Sequence, residues 1–181
     1  MGIEAAVLQM PNCLNLAIGL AVVCFLVGCA EQPARVTATA DSVRSKRMQG
    51  VRTTAYTRTE RGGRHNAVDS SLSAKHVMSA ASDWSRFPLG TRFRVVGTRD
   101  EYVIDDYGTA LVGTSTIDLY KPSRLQMRQW GVRRVDIDIL AWGSEEQSLK
   151  VLGPRAKHKC VKQMIGALQK KNSTRVASRI D

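Results

Sequence analysis

The 181-residue sequence is short of aromatic residues (6%), of histidine (three) and of acidic side chains (16, against 27 Lys and Arg). Its four cysteines are too few and too scattered for a disulfide framework. His65, His76 and His158 have no Cys or His partner at ligand spacing, so neither a metal centre nor any other cofactor is expected. G-x-S-x-G, P-loop and dinucleotide fingerprints are missing, which removes the common nucleophile and phosphate-cradle chemistries. Only one apolar run exceeds ten residues, and a polytopic membrane protein is excluded with it. No internal repeat is visible. The remainder, 43% hydrophobic and 24% charged, suits one globular domain of ~100–150 residues with extensions.

The apolar run, Leu14 to Cys29, is uncharged, long enough for a signal-peptide core and short for a membrane span of ~20 residues. Its end, Leu26-Val27-Gly28-Cys29, resembles the lipobox of bacterial lipoproteins, which implies a signal peptide over 1–28 and lipidation of Cys29. The flank carries Glu4 and no base, and a start at Met10 would remove it. An uncleaved single anchor is the other reading, and both put the rest of the chain outside the cytoplasm. Cleavage leaves Cys160 as the one free thiol, and acyl chains at ~0.8 kcal/mol per buried methylene make a lasting anchor. Ala30 after Cys29 resembles an outer-membrane sorting signal, so the expected location is the outer membrane, facing the periplasm. Removing 1–28 takes away one acid and no base, raising the net charge from +11 to +12. After export, nucleic acid is not the expected partner of that charge. Anionic cell-wall groups or lipid headgroups are, unless the charge is merely scattered over a solvated surface. The sequence gives no oligomeric state.

Residues 29–49 read as anchor and flexible linker. From Gly50 the texture changes to short β-rich segments at 51–57, 77–82, 91–96, 102–106, 116–120 and 133–140, with Gly97 in a hairpin turn between the third and fourth. One helix is expected inside the domain, over 123–130, opened by Pro122-Ser123 and stopped by Gly131. Many short strands and one helix predict an all-β, small β-barrel over 50–143. Residues 144–181 are basic, with nine Lys and Arg against three acids. Within them 156–170 forms a helix with Val161, Met164, Ile165 and Leu168 on one face, for packing on the barrel or for membrane contact, and 171–181 frays.

The chemistry must come from carboxylates. Asp136 and Asp138 alternate against Val135, Ile137 and Ile139, so they are solvated, beside Arg133 or Arg134. Asp106 shares parity with Tyr102 and Ile104, Asp105 with Val103, and parity does not choose between them. Asp118, between Ile117 and Leu119, needs partners if buried. Asp83 follows a strand and precedes Trp84.

The segments Ser79-Ala80-Ala81-Ser82-Asp83-Trp84, Phe87-Pro88-Leu89-Gly90-Thr91, Ile104-Asp105-Asp106-Tyr107-Gly108-Thr109-Ala110, Thr116-Ile117-Asp118-Leu119-Tyr120 and Trp130-Gly131-Val132 resemble the 3D domain, a family with three signature aspartates. It is shared by membrane-bound lytic transglycosylase A and by muralytic proteins of spores and stationary phase. Thr53-Thr54-Ala55-Tyr56-Thr57 is similar to its opening strand. The resemblance implies a six-stranded double-psi β-barrel and peptidoglycan glycan strands as the partner. It also implies cleavage of the MurNAc–GlcNAc bond, with Asp118 as acid/base, Asp106 as its electrostatic partner and Asp83 as an orienting or sugar-binding group. Trp84, Tyr107 and Tyr120 become candidate sugar-stacking rings, each read equally as barrel packing. The family's paired glycines are replaced by Tyr107-Gly108-Thr109, and the transglycosylase's second domain is missing.

Paired acids suit such chemistry because proximity and burial separate their pKa values, leaving one protonated to donate to the glycosidic oxygen. Two other readings stay open. The aspartates could cap turns that hold a non-catalytic, glycan-binding barrel, or the protein could tether envelope layers through its basic tail.

Overall fold

The computed structural model describes residues 46–60 and 63–178. The expected signal peptide over 1–28, the lipobox-like segment with Cys29 and nearly all of the expected linker lie outside the described residues. Six strands close into a barrel: β1 (Lys46–Tyr56), β2 (Val77–Ala81), β3 (Arg92–Val95), β4 (Glu101–Asp106), β5 (Ile117–Tyr120) and β6 (Arg133–Ala141). Around the barrel they run β1-β5-β2-β4-β3-β6. The β1/β5 and β2/β4 pairs are parallel and the other four antiparallel. Closure removes the open edges that short strands would otherwise present.

Period-two alternation builds the interior. Val51 and Thr53 of β1, Tyr102 and Ile104 of β4, Ile117 and Leu119 of β5, and Ile137 and Ile139 of β6 are all buried. The alternate residues 52, 54, 56 and 118 therefore face outward. β1 begins at Lys46, four residues before the expected boundary at Gly50, because Lys46, Arg47 and Met48 pair with Ile139, Asp138 and Ile137 of β6. Asp138 consequently binds Arg47 through both oxygens (2.8 and 3.0 Å), and Asp136 accepts from the Gly50 N–H at 2.9 Å. Neither takes the expected partner, Arg133 or Arg134. Those two arginines donate to backbone carbonyls instead.

Helix α1 (Arg124–Trp130) starts with the Ser123 hydroxyl accepting from Gln126 N–H and stops at Gly131, whose φ of 60° suits glycine. Two further helices, α2 (Glu145–Leu152) and α3 (Lys159–Ala177), follow the barrel. The α2 helix is not expected from the sequence; it is capped by Ser144 and carries Glu145 and Glu146 in its first turn. Val161, Met164 and Leu168 of α3 are buried with Leu152 and join the apolar cluster of Trp84, Phe87 and Leu89. That face is spent on protein packing and is not available to a membrane. Residues 171–177, expected to fray, continue the helix.

Gly143 joins β6 to α2 where the backbone nearly touches that of Pro88 and Leu89. A Cβ there would lie 2.2 Å from the Leu89 carbonyl oxygen and 2.4 Å from that of Pro88. Gly143→Ala is expected to cost about 1–3 kcal/mol, read as a lowered Tm in thermal unfolding; an unchanged Tm would mean that the junction yields freely.

Candidate active site

A bulge between Ala80 and Ala81 decides which aspartate of the Asp105–Asp106 pair enters the site. Ala80 pairs with Ile104, but Ala81 pairs with Asp106, so Asp105 is the extra residue. Ala81 also pairs with Asp118 on its other side. Directly paired residues project to the same face, so Asp106 and Asp118 flank the small Ala81 methyl. Their strands lie two spacings apart, putting the two Cα atoms ~10 Å from each other.

Both carboxylates line a cavity of about 720 Å³ on the barrel's outer face. Arg52, Thr54 and Tyr56 of β1 form one wall, and Glu60, the loop around His65, Asn66 and Ala67, Tyr107–Leu111 and Arg155 form the others. The loop is pinned by Asp105, whose Oδ2 accepts from Asn66 Nδ2 (2.8 Å) and Ser79 Oγ (2.6 Å). Arg155 holds it from above by donating to the Ala67 carbonyl at 2.6 Å.

Burial governs the electrostatics. It pushes the Asp106 carboxyl up to about 6; the Tyr107 N–H, 2.8 Å from Oδ1, opposes that, Asp105 reinforces it, and Arg155 opposes it. Burial also raises Asp118, against a 2.6 Å hydrogen bond from Thr54 Oγ1, with Glu60 raising it further and Arg52 lowering it. Asp118 is therefore buried by the loop and β1 beside it, not by Ile117 and Leu119, which point into the barrel. The Tyr56 hydroxyl is buried without a hydrogen-bond partner among the described residues, and burial together with Asp106, Asp105 and Asp118 keeps it firmly protonated. It is a neutral donor next to two acids.

Of the six residues singled out in the sequence, the structure brings three together here: Asp106, Asp118 and Tyr107. Asp83 is 2% exposed and lies outside the cavity. Its Oδ1 accepts from Ser85 N–H and Oγ, and its Oδ2 from Gly113 N–H at 2.7 Å, so it ties the 83–87 turn to the end of the cavity wall. Trp84 is fully buried, with its indole N–H on the Asp106 carbonyl (2.8 Å) and its ring against the edge of Tyr107. Tyr120 is 4% exposed and packs on Tyr56. Neither ring offers a free face to a sugar; Tyr107 alone lines the cavity. Sequence reasoning missed Arg52, Thr54, Tyr56 and Arg155. The first three share strand parity, which was the available signal. Nothing in the sequence places Arg155 here. Among the described residues no group of three or more His, Cys, Asp or Glu is placed to hold a metal ion.

The raised Asp106 fixes the sign of a pH effect. Its folded pKa lies above the ordinary 3.8, so the folded chain holds the proton more tightly and loses stability as pH climbs from about 4 through about 6. Asp106→Asn removes that penalty, worth at most ~3 kcal/mol. The variant should melt higher than wild type at pH 8 and converge with it near pH 4; a lower Tm at pH 8 would contradict the assignment.

The chain matches no family model and no curated protein.

Proposed function

We propose that this barrel is a 3D-type, double-psi β-barrel domain that cleaves the MurNAc–GlcNAc bond of peptidoglycan as a lytic transglycosylase. The carrying observation is the pair of raised carboxyls, Asp106 and Asp118, flanking Ala81 in one cavity beneath a pinned loop. Asp118 is the acid/base. Protonated, it donates to the glycosidic oxygen, and Asp106, once ionised, stabilises the oxocarbenium-like transition state. Asp118, now a base, takes the proton from the muramoyl 6-hydroxyl, whose oxygen attacks C1 and closes a 1,6-anhydro ring. Tyr56 offers a hydrogen bond to a sugar oxygen, and Tyr107 one ring edge to the substrate. The chain is anchored through lipidated Cys29 in the outer membrane, faces the periplasm, and carries a basic helical tail after the barrel.

One observation favours exchanging the two acids' roles: Asp106 is the carboxyl pushed up to about 6, so it keeps its proton to higher pH. The pH profile of sacculus solubilisation separates the two arrangements. With Asp118 as acid, Asp106→Asn retains a reduced activity that still falls at alkaline pH, and Asp118→Asn falls by about 10²- to 10⁴-fold at every pH. The reverse pattern assigns the proton to Asp106. Binding of sacculi without solubilisation by any form would instead support a glycan-gripping barrel whose aspartates only cap turns.

A further inference from the structure

Away from the aspartate cavity, and sharing no lining residue with it, a second concavity of about 570 Å³ opens between the barrel and α3. Trp142 lines it and is 50% exposed, unusual for the largest apolar side chain. The indole lies nearly parallel to Phe87 (12° between planes, centroids 6.3 Å apart), and Phe87 is itself buried. Phe87 therefore backs the indole in an offset stack, and half of the indole is exposed among the described residues. Lys46, Arg86, Lys171 and Arg175 surround it, against a single carboxylate, Glu145. Glu145 forms an ion pair with Lys171 (2.5 Å) and accepts from Arg175 at 2.9 Å, which fixes two cations beside the ring without balancing all four. Arg86 is steadied by the Ser115 hydroxyl and the Gly113 carbonyl.

We infer that this is a second carbohydrate subsite, in which Trp142 stacks on a pyranose ring and the surrounding cations take a carboxylate borne by that sugar. A flat, supported aromatic face in a concavity suits the C–H face of a ring. The excess positive charge selects an anionic sugar over a neutral one of the same shape. A membrane-seeking tryptophan would stand proud of a convex surface, whereas this one lines a hollow. The inference rests on the glycan reading above and adds a site that would hold the strand some way from the cut bond. The lactyl carboxylate of a muramoyl residue freed of its stem peptide is the matching chemistry.

The test follows the Trp142 indole N–H signal by NMR, in full-length protein carrying Asp118→Asn so that no sugar is consumed. It is titrated with peptide-free glycan tetrasaccharide, which bears lactyl carboxylates, and with chitotetraose, which has the same type of ring and no charge. The expected result is a Trp142 shift with both, saturating at about tenfold lower concentration for the charged sugar. Lys171→Gln with Arg175→Gln should erase that preference, and Trp142→Ala should weaken charged-sugar binding about tenfold. No Trp142 shift, equal affinities for the two sugars, or a shift only with phosphatidylglycerol vesicles would overturn the inference. Failure here leaves muropeptide release by wild-type protein untouched. Absence of that release, with Trp142 still selecting the charged sugar, would sink the catalytic reading alone.

Discussion

Asp118→Asn leaves the barrel folded, leaves co-sedimentation with peptidoglycan within about twofold, and lowers turnover by about 10²- to 10⁴-fold, the usual weight of a general acid/base. The substitution is nearly isosteric. The amide oxygen can still accept from Thr54 Oγ1, now 2.6 Å from Asp118 Oδ1, so the β1/β5 pairing survives. What disappears is the group that carries a proton to the leaving oxygen and later removes one. Since burial raises this carboxyl, neutralising it does not harm the fold. Circular dichroism and Tm would check the fold, and dye-labelled sacculi the rate. A loss of Tm matching the loss of rate would show that Asp118 is structural.

Asp83→Ala has the opposite signature: a large loss of stability, with the cavity's own acids intact. Asp83 answers two backbone N–H groups and one hydroxyl from a site that is 2% exposed. Removing it frees the half-buried Ser85 N–H, at about 1–3 kcal/mol, and the more exposed Gly113 N–H, at less, for a total of ~3 kcal/mol. For a domain of this size that lowers Tm by roughly 6–12 °C. Chemical denaturation should show the same loss, with turnover per folded molecule reduced far less than in Asp118→Asn. A stable but inactive Asp83→Ala would return this residue to the reacting centre.

Much of the barrel was legible because each strand announces itself by alternation: Ile117 and Leu119 in, Asp118 out; Ile137 and Ile139 in, Asp136 and Asp138 out. The helix at 124–130 was marked by Ser123 and Gly131 in the same way. The Asp105–Asp106 choice was not legible. It depends on a bulge that exists only when β2 and β4 pair, and register across strands leaves no local trace. Trp84 and Tyr120 read in sequence as sugar platforms or as barrel packing because aromatic residues serve both roles; burial alone separates the roles. Arg155 and the α2–α3 unit reach the barrel across long stretches of chain. Their contacts with Ala67 and Leu89 follow from tertiary packing, which no nearby residue encodes.

The central claim is that the Asp106–Asp118 cavity cuts glycan strands by internal attack. Mass spectrometry of the soluble products from sacculi incubated with the full-length wild-type protein tests it most directly. Muropeptides ending in 1,6-anhydromuramoyl groups, absent when Asp118→Asn is used instead, are the predicted result. Reducing ends without the anhydro ring would make the protein a hydrolase. The same product yield from both proteins, or none from either, would contradict the account.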